Sequence, residues 1–138
     1  MQNVSILKLL NLIILSSLFF LSLYKISYAE MSSLGVLTGG SFSYAYGVSS
    51  DGTVIVGHSG STDGDRAFKY DSTNGMTSLG VLAGGTISRA YGVSSDGSVI
   101  VGQSDSTDGF RAFKYDSTNG MTSLGVLTGG SHSYALGV

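Results

Sequence analysis

Cysteine is absent from this chain, which excludes a disulfide staple, a thiolate nucleophile and any zinc site built on sulfur. Its absence is compatible with an oxidising compartment. Proline and tryptophan are absent as well, and only 12% of the residues are charged. At 138 residues the chain has room for at most one small domain. Basic residues are scarce where they would matter. Beyond residue 29 there are five Lys and Arg against nine Asp and Glu, so no basic stripe remains to follow a phosphate backbone and nucleic acid is not an expected partner.

The one long apolar run is itself short. Lys8 precedes sixteen residues, Leu9 to Tyr24, that are interrupted by Asn11 and three serines. Lys25-Ile-Ser-Tyr-Ala29 follows, with small residues at Ser27 and Ala29. A basic start, an apolar centre and a small-x-small site before Glu30 describe a secretory signal peptide. The run falls short of the ~20 residues that span a bilayer, although Lys25 keeps an uncleaved anchor as the rival reading. In either case residues 30–138 are expected to be exported to the periplasm, the cell surface or the medium.

What the chain has in abundance is glycine and repetition. All 21 glycines lie beyond residue 29, and a 45-residue unit, 31–75, is followed at once by a copy, 76–120, with nine differences. A third copy covers 121–138. Such a period signals one supersecondary element repeated. No stretch within it has a helical period, whereas apolar runs alternate with glycine-containing turns. Ala45–Ser49 and Thr53–Gly57 flank Asp51-Gly52, and Arg66–Tyr70 and Met76–Leu82 flank Asn74-Gly75. Asp-Gly and Asn-Gly suit the two positive φ angles of a type I′ hairpin turn. The unit therefore predicts two hairpins, or four short strands.

Four strands per 45 residues is the spacing of a β-propeller blade. The continuous apolar run Val54-Ile55-Val56 fits sheets covered on both faces, and Gly47, Gly57 and Gly80 suit close sheet-to-sheet approach. A β-solenoid is the rival, but its coils are usually shorter. The expected fold is all-β: four-stranded antiparallel blades of an incomplete propeller, about two and a half repeats, after the hydrophobic signal segment. Residues 31–37 read as a lone fourth strand and the residues up to Val138 as a first strand. A closed ring takes about four to eight blades. Truncation of a longer reading frame, an oligomer that completes the ring, or a marginal domain are the three ways to account for the shortfall, and open blade edges make self-association an expected property. The final strand, without a polar capping repeat, favours truncation.

Thr53–Gly57 followed by Ala67-Phe68-Lys69-Tyr70-Asp71-Ser-Thr-Asn74 resembles the kelch blade, with Met76 and Met121 where kelch repeats often carry Trp. The closer resemblance is to the bacterial extracellular HAF-repeat family. Its units are similar to Ala45–Gly57, then 66–68, then 75–85, repeated from Ala90. Arg66 and Arg111 stand at the position of the family's histidine. The resemblance covers nearly all of residues 30–138 and implies an exported protein of unassigned activity, sometimes joined to an autotransporter-type membrane domain.

If the Asp-Gly and Asn-Gly turns share one end of each blade, the connections 38–44 and 58–65 share the other. Seven of the nine differences fall there: Thr38/Ala83, Ser41/Thr86, Phe42/Ile87, Tyr44/Arg89, His58/Gln103, Gly60/Asp105 and Asp65/Phe110. One reading is a ligand-facing rim varied on a fixed scaffold, which with the third copy gives Phe42, Tyr44, His58, Asp65, Ile87, Arg89, Gln103, Phe110, His132 and Tyr134 as candidate binding residues. The other is drift in tolerant loops. Other chemistry is thin. Asp63-Gly64-Asp65 and Asp105 with Asp108 lack a spacing common to both copies and a bidentate Glu, so they read as solvated turns and not calcium loops. His58 and His132 occupy non-equivalent positions, which argues against a metal site or a general base. Ser49-Ser50-Asp51-Gly52 partly resembles the Asp-box turn of sialidase propellers, without its aromatic residue and with glycine one place early. Arg66 and Arg111 are expected to pair with an Asp or stack on a Tyr.

These readings lead to a non-enzymatic exported protein that binds an unidentified protein or glycan through its loop rim and needs no cofactor or metal. Tyrosine gives such a surface large contact area at low entropic cost. The alternative is a fragment of a propeller hydrolase or lyase, or of an autotransporter passenger. An enzyme of that kind needs acids or histidines converging from several blades.

Overall fold

A computed structural model describes residues 30–138, and the signal segment expected at 1–29 lies outside the described residues. Eight strands form in chain order: β1 (Ser43–Val48), β2 (Ile55–Ser59), β3 (Arg66–Asp71), β4 (Gly75–Ser78), β5 (Ser88–Val93), β6 (Ile100–Ser104), β7 (Arg111–Asp116) and β8 (Gly120–Gly125). They make two four-stranded antiparallel sheets, β1-β2-β3-β4 and β5-β6-β7-β8, one per copy, and there is no helix among the described residues. The all-β expectation holds.

The turns differ from the type I′ expectation. No non-glycine residue among those described has a positive φ, so Asp51 and Asn74 remain right-handed and only Gly52 (φ 73°) and Gly75 (φ 68°) are left-handed. The cause is an aspartate in each turn. The Asp51 carboxylate accepts hydrogen bonds from Ser49 Oγ (2.6 Å) and the Thr53 amide (3.0 Å), and the Asp71 carboxylate accepts from the Thr73 (3.0 Å) and Asn74 (2.8 Å) amides. These side-chain-to-backbone bonds hold the residues in a right-handed bend, and glycine alone reverses the chain. Thr53 is thereby drawn into the turn, and the second strand runs Ile55–Ser59, two residues later than expected.

Two further strands were expected and are not formed. Residues 31–37 and 133–138 carry no strand; the second segment makes one backbone bond to a strand, from the Ala135 amide to the Gly102 carbonyl of β6 (3.4 Å), and no ladder follows from it. The fourth strand of the first copy ends at Ser78. Gly80 (φ 77°) then turns the chain toward the second sheet, and the side chains of Leu79 and Leu82 are buried on the way. Two of the seven differing positions assigned to connections also lie in strands. Tyr44 and His58 face each other across the β1–β2 ladder, and Arg89 and Gln103 across β5–β6.

The sheets pack against each other around Val54, Val56, Ala67, Leu79, Ala90, Ile100 and Phe113. The central strand β6 is buried along its whole length, as a strand covered on both faces must be. Close approach depends on Gly47, where an added Cβ would stand 3.2 Å from the Tyr91 carbonyl oxygen. Gly57 has another role, within its own sheet, where the Tyr44 carbonyl occupies the space of a Cβ. Gly80 is needed for its positive φ.

A serine joins each copy to the next. Ser88, fully buried at the start of β5, accepts a hydrogen bond from the Ala67 amide on β3 (2.9 Å), and its own amide donates to the Asp65 carbonyl (3.1 Å). Ser133 makes the same pair of bonds to the second sheet, with the Ala112 amide (2.9 Å) and the Phe110 carbonyl (3.3 Å). Residues 133–138 therefore repeat the docking of β5 without its strand pairing. Satisfying a buried amide in this way avoids a penalty of about 1–3 kcal/mol.

Candidate functional site

The side chains that differ between the copies meet at the junctions. At the first junction Tyr44 and Tyr46, both on β1, lie against the imidazole of His58 on β2, with ring centroids 5.2 and 5.4 Å away and planes within 25°. Phe42 completes the group edge-on at 6.0 Å, and Tyr91 of the second copy reaches Tyr46 at 5.6 Å. The rings remain open to solvent, with Phe42 38%, Tyr44 55% and Tyr46 49% exposed, whereas His58 beneath them is 6% exposed. The arrangement follows from the pleat. Residues 44 and 58 are cross-strand partners, and the register shift between Ala45 and Gly47 brings Tyr46 onto the same group.

Charge sits beside the rings. Arg89 Nη2 lies 3.6 Å from Asp65 Oδ2, and both groups act on His58. Burial first, and then the Arg89 guanidinium, hold the imidazole below its ordinary value of 6.5, against an opposing pull from Asp65. His58 Nδ1 and Arg89 Nε are buried without a hydrogen-bond partner among the described residues. A depressed histidine means that the unfolded chain binds the proton more readily. Its contribution to stability is therefore complete above pH 6.5 and falls as the pH drops below that value. The carboxylates act in a separate window. Hydrogen bonds from Ser94 and Ser98 lower Asp96 from 3.8 to about 2, so its contribution is lost only as the pH falls below 3.8. Thermal unfolding of the protein is expected to show a decline in Tm beginning near pH 6.5, and His58→Gln, the residue of the second copy, to remove that decline and leave the acid limb. An unchanged profile in His58→Gln would separate the decline from this histidine.

The differences between the copies form contact sets. Asp105 accepts bonds from the Thr86 amide (2.7 Å), the Thr86 hydroxyl (2.8 Å) and the Ile87 amide (2.7 Å). In the first copy Gly60 stands in its place, and the Phe42 ring lies 3.0 Å from where a Cβ would be. The pair Tyr44–His58 becomes Arg89–Gln103, and the ion pair Asp65–Arg89 is succeeded at the second junction by Phe110 against His132 (6.2 Å). Tyr134, the counterpart of Arg89, is exposed. Thr38/Ala83 has no such partner. The ten candidate residues thus divide into a first-junction group of Phe42, Tyr44, His58, Asp65 and Arg89 and a second-junction group of Ile87, Gln103, Phe110, His132 and Tyr134. Tyr46 escaped the sequence comparison because its counterpart Tyr91 is identical; its place two residues from Tyr44 was the available signal.

Arg66 and Arg111 do not meet the expected Asp carboxylate or Tyr ring. Arg66 donates to the carbonyls of Asp63 (2.6 Å), Asp65 (3.1 Å) and Thr86, and Arg111 to those of Phe110 (3.0 Å) and Ser131 (2.8 Å). Each therefore ties its own copy to the next. Each also lines a cleft of about 300 Å³. The first is bounded by Leu37, Thr38, Ser61, Thr62, Asp63, Arg66, Met76 and Ser78, and the second by their counterparts from Leu82 to Ser123. No group of three His, Cys, Asp or Glu among the described residues is placed to hold a metal ion. No protein-family model, curated protein or solved structure matches the chain.

Proposed function

We propose that the chain is an exported, non-enzymatic binding protein of the HAF-repeat type, its two sheets serving as consecutive propeller blades and its aromatic rim as the contact surface for a protein or glycan outside the cytoplasm. The observation that carries this reading is the group of exposed rings, Phe42, Tyr44 and Tyr46, gathered over one buried imidazole. Rings held by cross-strand packing lose little entropy on binding, and tyrosine offers apolar area with a polar edge. The blade reading is supported by the sequential strand order, by the buried core that the two sheets share and by the same serine bond at both junctions.

Export and contact are tested together. The secreted protein is expected to begin at Glu30 on N-terminal sequencing, and the double variant Tyr44→Ala/Tyr46→Ala to lose binding to cells or immobilised glycans at unchanged secretion. Retention of residues 1–29 in membranes would replace the signal peptide by an anchor, and unaltered binding by the double variant would remove the rim from the interface.

A further inference from the structure

The two clefts are a feature that the rim does not use. They recur at equivalent positions, and the lining residues are identical between the copies apart from Thr38/Ala83. Their polar groups divide into two kinds. Ser61 Oγ is committed to its own loop, accepting from the Asp63 amide (3.2 Å) and donating to the Gly64 carbonyl (2.7 Å). The Asp63 carboxylate and the Thr62 hydroxyl have no hydrogen-bond partner among the described residues, and the Thr62 methyl fills the space beside Gly39. Asp108 and Thr107 repeat this in the second copy, with the Thr107 methyl beside Gly84. The cations divide similarly. Lys69, Arg89 and Lys114 have carboxylates within 4.0 Å, whereas Arg66 and Arg111, the two in the clefts, have none among the described residues. Leu37 and Met76 add apolar surface to the first cleft, and their counterparts Leu82 and Met121 to the second.

A free carboxylate, a free hydroxyl, a guanidinium held by backbone carbonyls and by no carboxylate, and an apolar wall in a space of about 300 Å³ match a small ring with hydroxyls at its edge and C–H groups on its face. Carboxylate-to-hydroxyl bonds are of the stronger, charge-assisted kind. We infer that each cleft binds one segment of a neutral saccharide chain, and that successive copies engage successive segments of the same polymer. Two equivalent clefts on one chain offer a long oligosaccharide a second attachment that a short one lacks.

The probes are maltohexaose, cellohexaose and the hexamer of N-acetylglucosamine, each with its disaccharide, titrated calorimetrically into the full chain. At least one hexamer is expected to bind, and to bind about tenfold or more tightly than its disaccharide. Asp63→Asn or Asp108→Asn, isosteric changes on exposed loops, should each reduce hexamer affinity toward that of the disaccharide, and the double variant should abolish binding. Tyr44→Ala/Tyr46→Ala should leave this binding unchanged, which distinguishes the clefts from the rim. Three silent hexamers, binding that survives Asp63→Asn/Asp108→Asn, or binding lost with the two tyrosines would each overturn the assignment.

Discussion

Replacing Gly102 by alanine is expected to open the ladder between β5 and β6. Gly102 is buried opposite Ala90, at the register shift where β5 bends, and the Arg89 carbonyl points into the space that a Cβ would take. The obstruction is backbone, which has no rotamer to escape into. The strands must separate, and their bonds lengthen with them. Overpacking typically costs 1–3 kcal/mol, and a clash with main chain belongs at about the upper end of that range. Gly137→Ala is the matched control, since a Cβ there meets nothing within 4 Å and the residue has no positive φ. Urea unfolding should move to a lower midpoint for Gly102→Ala at unchanged slope and stay within about 0.5 kcal/mol of wild type for Gly137→Ala. Equal midpoints for the two variants would mean that β5 is not held at this distance.

Phe113→Ala is expected to destabilise the protein by about 3–5 kcal/mol. The side chain is fully buried, belongs to the core between the sheets, and stands across the ladder from Gly102. Total stabilities of small domains are about 5–15 kcal/mol, so the variant should be partly unfolded at 37 °C. Because residues 102 and 113 are direct neighbours, Gly102→Ala/Phe113→Ala should depart from additivity by about 0.5 kcal/mol or more. A loss under about 1 kcal/mol for Phe113→Ala would indicate that the sheets do not share this core.

The repeat made the four strands of each complete copy and their sheet membership legible, because turn residues recur at fixed offsets and Val54-Ile55-Val56 signals a strand covered on both faces, but it also suggested strands at 31–37 and up to Val138 that do not form. Strand ends were less legible. Thr53 reads as strand by its β-branched side chain, but its amide and hydroxyl are taken by Asp51, and no pattern of apolar residues reports that competition. Leu79 and Leu82 read as the end of a strand because they are apolar. They are apolar because they cross between the sheets and are buried there.

The candidate site was legible as a list of differences and illegible as a geometry. Comparison of the copies found Tyr44 and His58, but nothing in their spacing of fourteen residues says that they are directly opposed. It also missed what stays constant. Ser88 looks like an ordinary polar residue in the sequence and Arg66 like a partner for an Asp or a Tyr, and only the fold gives them bonds to the neighbouring copy.

The serine and arginine ties pass from one copy to its successor through residues common to both, while the charge on Asp65 is answered by Arg89 in the copy that follows. The unit is thus mechanically interchangeable but electrically ordered. A chain that gains or loses a whole 45-residue cassette keeps the serine and arginine ties, yet it brings a different set of charged and aromatic side chains together at the junctions. Cassette order is then inherited information, and shuffling it would alter the junctions while sparing the scaffold.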